Sequence, residues 1–208
     1  MSTHVRRTSN AGRGSRGLLF CVVAALSVMT SAQRPQTAGW LDRPLAAWNR
    51  PGAPLPKAAL DRTERDRIVK TCDLALQPST PAERALADAG WIPFRHFDQQ
   101  LVQGDVEIVD GMAGVDGMCR PLRYNIFVFV GGVFAGTLSP DLMNSREDGA
   151  SGAVRILDRD TLSAEFVRYT DKDPLCCASS RVTVRYRIDR IGRQPVVTPL
   201  DVRVTRGL

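Results

Sequence analysis

Beyond the first 32 residues, the side chains with most chemical potential are four cysteines: Cys72, Cys119, Cys176 and Cys177. In an oxidising compartment an even set of this kind forms disulfides, and four cysteines allow three connectivities. Pairing Cys176 with Cys177 closes a strained eight-membered ring, so Cys72 and Cys119 are each expected to bond one of the adjacent pair. The alternative is a metal site that uses the same thiolates with His96. No Cys-x-x-Cys spacing supports it, and oxidation removes free thiolates. No metal ligand and no cofactor is expected.

Nucleophilic catalysis finds few parts. His4 lies in the leader, so a Ser-His-Asp or Cys-His arrangement would have to be built on His96. That residue sits between aromatics in Phe94-Arg95-His96-Phe97, where a packed or surface imidazole is the simpler reading. The chain contains no G-x-S-x-G, H-E-x-x-H, G-x-G-x-x-G or P-loop. Asp110 to Gly117 resembles a calcium loop only in its acid and glycine content, and reads as a flexible turn. Ser139 to Gly149 gathers Asn144, Ser145, Arg146 and Asp148 beside a glycine turn, a candidate ligand contact. In the competing reading Arg146 pairs with Asp148 or a neighbouring strand and merely organises the turn. No catalytic residue is assigned, and an enzyme is not expected.

The elements that must position these residues begin with a proline-rich stretch. Residues 33–56 hold Pro35, Pro44, Pro51, Pro54 and Pro56, which reads as a flexible arm, with Trp40 and Trp48 able to dock on the domain. Residues 57–208 form a single α+β domain. A first helix is expected from Lys57 to about Cys72. In the second, Thr80 is the N-cap, Pro81 the first helical residue, Glu83 the capping-box acid and Gly90 the stop.

From Trp91 the apolar period changes from 3.6 to 2. Tyr124–Val130 and Val133–Leu138 flank Gly131-Gly132, which predicts a type I′ hairpin pairing Val130 with Val133, Phe129 with Phe134 and Phe127 with Gly136. Both of its faces are apolar, so it should be central and covered on both sides. Later segments alternate: Leu162, Ala164 and Phe166; Val182, Val184, Tyr186 and Ile188; Leu200, Val202 and Val204. Each is expected to put one face on a core, with Arg181, Arg185, Arg187 and Arg203 in water. The architecture expected is two N-terminal helices followed by one antiparallel sheet of about five to seven strands, stapled by disulfides.

Residues 1–32 read as a signal peptide. A basic stretch precedes the uncharged run Leu18–Met29, and Thr30-Ser31-Ala32 offers a cleavage site before Gln33. Cys21 follows the bulky Phe20, where acylation needs a small residue, so no lipid anchor is expected there. Of the formal net charge of +6, four units come from Arg6, Arg7, Arg13 and Arg16 in the leader. The remainder is too small to argue for nucleic-acid binding.

Two groups of residues carry a family resemblance. Phe129-Val130-Gly131-Gly132-Val133-Phe134-Ala135-Gly136-Thr137-Leu138-Ser139-Pro140 leads to Met143, Ser145-Arg146 and Asp148-Gly149-Ala150. Phe166 and Arg168-Tyr169 lead to Asp173-Pro174-Leu175-Cys176-Cys177 and Ser179. Across roughly residues 70–190 the chain resembles the LppP/LprE lipoproteins. The resemblance implies an extracytoplasmic envelope location (periplasm, cell wall or secreted) and supplies no established activity and no catalytic residue.

The expected role is a non-catalytic binding or accessory module whose partner is an envelope protein or polymer. Two alternatives stand beside it. One is an envelope enzyme using the Ser139–Gly149 loop. The other is a purely structural protein that holds a partner through its arginine-bearing sheet face or its Trp40/Trp48 arm. No nucleic-acid partner is expected, nor any membrane attachment beyond the signal peptide.

Overall fold

Pro121–Val130 is the strand on which the fold is built, because it carries large apolar side chains on both faces. The computed structural model describes residues 39–74, 77–95, 101–174 and 176–206, all within one compact unit, Thr37–Leu208. The leader, residues 33–38 of the arm and His96 lie outside the described residues. In chain order the elements are a short 3-10 turn at Trp40–Asp42, then α1 (Arg62–Thr71) and α2 (Pro81–Asp88). The strands β1 (Ile92–Phe94), β2 (Leu101–Gln103), β3 (Val106–Val115), β4 (Pro121–Val130) and β5 (Val133–Thr137) follow. The last four are β6 (Ser151–Ile156), β7 (Thr161–Arg168), β8 (Ser180–Ile191) and β9 (Gln194–Arg206).

The expected single sheet is two sheets. The first has order β1-β3-β4-β5, with β2 also paired to β3, and the second is β6-β7-β8-β9. All the pairings are antiparallel. The reason lies in β4. Phe127 and Phe129 pack on Ala82 and Leu86 of α2 and on Trp91, while Ile126, Val128 and Val130 pack with residues of β7 and β8 such as Phe166 and Val184. α2 covers one face, and the one-sided strands fold back as a second sheet that, with Ile68 of α1, covers the other.

Local signals place several elements as expected. Thr80 Oγ1 accepts from the Glu83 amide at 3.1 Å, and Glu83 Oε2 accepts from the Ser79 and Thr80 amides at 2.6 and 3.3 Å. Gly90 then ends the helix at φ +91°. The first helix starts later than expected, at Arg62, because Asp61 is its N-cap and accepts from the Glu64 amide at 2.9 Å. Gly131 and Gly132 both hold positive φ in the hairpin turn.

Beyond Phe129 and Phe134 the hairpin register departs from the prediction. A bulge shifts it so that Gly136 faces Val128 and Phe127 faces Thr137. Asn49 causes the close approach: its Oδ1 accepts from the Thr137 amide, and its Nδ2 donates to the carbonyls of Thr137 and Val197, each at 2.9 Å. A Cβ on Gly136 would lie 2.3 Å from the Asn49 side chain. In β9 a second bulge falls between the pairs Arg185–Asp201 and Tyr186–Pro199 and leaves Leu200 unpaired. Leu200 is thus 42% exposed, whereas Val202 and Val204 keep the core face opposite Val184 and Val182, with Val204 62% exposed near the strand's end, and Val196 and Val197 are buried before the bulge.

One further expectation changes. Asp110 to Val115 is no flexible turn but part of β3. Its Gly111 leaves room for the Phe127 ring, which would lie 2.9 Å from a Cβ there. The arm is docked over residues 39–56. Trp40 packs edge-on against Phe166 with ring centroids 5.0 Å apart, and Trp48 Nε1 donates to the Thr137 carbonyl at 3.1 Å.

Glu83 gives this fold a pH signature. Burial opposes its charge, but hydrogen bonds from Ser79, Thr80 and Arg95 outweigh that and hold the carboxyl below its ordinary 4.5. A carboxyl with the lower pKa in the folded state stabilises fully above the ordinary value and loses that contribution as pH falls through the folded one. Glu83→Gln is expected to lose about 1 kcal/mol at neutral pH in urea melts. The gap from the wild type should close as pH drops well below 4.5.

Candidate functional site

The polar residues of the candidate loop sit where the chain crosses from the first sheet to the second, between β5 and β6. Asn125, buried on β4, donates from Nδ2 to the carbonyls of Ser139 and Asp141 at 3.0 and 3.3 Å. Ser139 Oγ donates to the Asp141 carbonyl at 2.7 Å, so the hydroxyl is committed to a backbone acceptor. Asn144 Oδ1 accepts from the Arg123 amide at 2.8 Å, and its Nδ2 donates to Glu147 at 2.9 Å. Asp148 Oδ1 accepts from Arg168 Nε and from the Tyr169 amide, both at 2.8 Å.

The four predicted contact residues therefore divide. Asn144 and Asp148 line a small cleft of about 130 Å³ with Trp40, Ser139 and Met143, and Ser145 and Arg146 do not. Asp148 pairs with Arg168 and not with Arg146, whose side chain is exposed and makes no hydrogen bond or ion pair among the described residues. Arg168 also donates to Asp42 at 2.6 Å. Desolvation works against the Arg168 charge, but Asp148 and Asp42 outweigh it and raise its pKa above the ordinary arginine value. Among the described residues no group of three or more His, Cys, Asp and Glu is placed to hold a metal ion.

The cysteines pair differently from the expectation. Cys72 bonds Cys119, with Cα atoms 5.6 Å apart, and Cys176 bonds Cys177. Position decides this. Cys119 lies in the β3–β4 turn, where Asp116 Oδ1 accepts from the Met118 and Arg120 amides, and this turn meets the end of α1. The adjacent pair belongs to the β7–β8 connection in the other sheet. There Asp173 Oδ2 accepts from the Thr170 and Ser179 amides at 2.8 and 3.0 Å, and the Cys177 amide donates to the Pro174 carbonyl at 2.9 Å.

Sequence reasoning missed what this connection builds. Cys176, Cys177 and Ala178, with Tyr169, wall a groove of about 700 Å³ on the outer face of the second sheet. The available signal was Asp173-Pro174 before the two cysteines, since an aspartate there can tie both ends of a short loop. The basic stripe on the same face is largely neutralised. Arg181 pairs with Glu165 at 3.4 Å, Arg187 with Asp189 at 2.6 Å, and Arg185 with Asp201. Arg203 makes no hydrogen bond or ion pair among the described residues, but its charge acts on Asp201.

Together these features define a disulfide-bonded, two-sheet α+β domain whose loop residues join its layers. Residues 107–190, from β3 into β8, match the family described as LppP/LprE lipoprotein. LppP/LprE lipoproteins are exported, extracytoplasmic envelope components with no established activity, which agrees with the extracytoplasmic location expected above. No curated protein and no solved structure significantly matches the chain. The structure gives the two halves of the signature a shared purpose. Gly149 and Ala150 exchange backbone hydrogen bonds with Val167 at 2.8 and 2.9 Å, beside the Asp148–Arg168 pair.

Two expectations follow. Peptide mapping without reduction should recover a Cys72–Cys119 link, and Cys72→Ala with Cys119→Ala should lose about 2–4 kcal/mol of stability. The Thr170 amide, opposed by desolvation and aided by Ser179, holds the Asp173 carboxyl below its ordinary 3.8. That anchor is complete above 3.8 and is lost as pH falls through the lower folded value. At neutral pH, Asp173→Asn should quicken hydrogen exchange at Thr170 and Ser179 and leave the Val184 amide unchanged.

Proposed function

We propose that this protein is a non-catalytic binding or accessory module of the cell envelope. The observation that carries the reading is the engagement of the most reactive-looking loop. Asn144, Asp148 and Ser139 are used to fix the crossing between the sheets, and no nucleophile and base face one another there. Catalysis asks for a side chain held close to a proton-accepting partner and open to substrate. The Ser139 hydroxyl is instead fully buried and bonded to a carbonyl. The family match supports the envelope setting.

The alternative, an envelope enzyme working through the Ser139–Gly149 loop, is separated by four variants. Asn144→Ala and Asp148→Ala should each lower the melting temperature by about 2–4 °C, as loss of a hydrogen bond near 1 kcal/mol does in a domain of this size. Arg146→Ala and Ser145→Ala should leave it unchanged. All four, expressed at wild-type levels, should restore the envelope permeability of a deletion strain of the native host. Loss of complementation by Arg146→Ala at an unchanged melting temperature would contradict the purely architectural role given to this loop, the observation on which the reading rests.

A further inference from the structure

The strand registers define the floor of the groove beside Cys176 and Cys177. Glu165 on β7 faces Thr183 on β8, which faces Arg203 on β9. In the next row Val167 faces Arg181, which faces Thr205. These side chains stand on the outer face of the sheet, opposite the buried Phe166, Val182 and Val184. Two rows across three strands make a platform of about 10 Å by 7 Å, the scale of one or two sugar rings. The connection tied by Asp173 rises from one end of it as a wall.

The chemistry of the lining selects the occupant. The charged side chains of its lining are one cation and one carboxylate, Arg181 and Glu165, and they pair with each other, while Arg203 at the β9 edge of the floor lies outside the lining and acts on Asp201. An anionic polymer would need a surplus of positive charge. A protein partner would need an exposed apolar centre with several aromatic anchors, and this groove has one aromatic, Tyr169, on its wall. The lining instead offers the hydroxyls of Thr183 and Thr205, which make no hydrogen bond to protein among the described residues. Between them lie small apolar surfaces from Val167, Ala178 and the paired sulfurs. Free hydroxyls beside apolar patches, with no net charge, complement the hydroxyl rim and C–H faces of a neutral sugar.

We infer that the groove between the Cys176–Ala178 wall and the Thr183/Arg181 rows binds a neutral sugar unit of an envelope glycan. This rests on the binding-module reading and names its ligand class. Thr183 and Thr205 supply hydrogen bonds from the floor, and the Arg181–Glu165 pair offers a donor and an acceptor side by side.

The test uses the exported chain with its disulfides formed. It is titrated with maltotetraose, chitotetraose, arabinotetraose and galactotetraose by calorimetry and saturation-transfer NMR, with dextran sulfate as the anionic comparison. At least one neutral oligosaccharide should saturate with an affinity insensitive to salt. Thr183→Val and Thr205→Val should each weaken it about three- to tenfold, the scale of one lost hydrogen bond, without changing the melting temperature. Absence of saturation by all four sugars, or equal binding by the Thr183→Val/Thr205→Val double variant, would overturn the assignment. Salt-sensitive binding of dextran sulfate alone would also overturn it, while leaving the binding-module reading in place.

Discussion

A strand that is apolar on both faces must be covered on both faces, and β4 imposes that requirement on everything around it. Phe127 and Phe129 are withdrawn from water by α2 and Trp91, and Ile126, Val128 and Val130 by the second sheet. Burial of a side chain of this size contributes roughly 1.5–3 kcal/mol, so leaving either face open would remove a large share of the stability of an ordinary domain. The three-layer order of helix, sheet and sheet follows from that one strand. The helices alone cannot cover both sides.

Holding two sheets face to face leaves polar groups at their margins that need partners, and the chain supplies them from distant segments. Asn49 of the arm hydrogen-bonds β5 in one sheet and β9 in the other. The Tyr186 hydroxyl, buried and held well above its ordinary pKa by desolvation, stays protonated and donates to the Leu138 carbonyl. Arg168 joins the crossing loop to the arm through Asp148 and Asp42, and Arg190 reaches Asp105 on the β2–β3 turn at 3.2 Å. Leu138, Asp148, Arg168, Tyr186 and Arg190 lie within residues 107–190, the stretch that matches the LppP/LprE lipoproteins.

The parts legible in the sequence were those set by neighbours along the chain. Thr80, Pro81, Glu83 and Gly90 define a helix without reference to anything distant, and Gly131-Gly132 defines a turn. The two-sided pattern of β4 announced its central place. Which sheet a later strand joins is set by contacts across the whole chain, so two sheets looked like one. Gly111 was misread because a glycine that admits an aromatic ring and a glycine that makes a turn are the same letter. The bulges at Gly136 and Leu200 depend on Asn49 and on the strand pairing, neither of which is local. The candidate site was legible as a cluster of polar residues, but the direction of each hydrogen bond, which decides its role, was not.

Native-state hydrogen exchange, followed residue by residue through increasing denaturant, tests the claim that β4 binds all the layers into one unit. If both sheets depend on its double coverage, amides of Ile126 and Val128 in β4 and of Val184 and Tyr186 in β8 should exchange through one shared global opening. Their free energies should match and converge on the stability from equilibrium unfolding. A β7–β8 pair that opens separately, well below the β4 amides, would contradict the account and make the second sheet an independent unit.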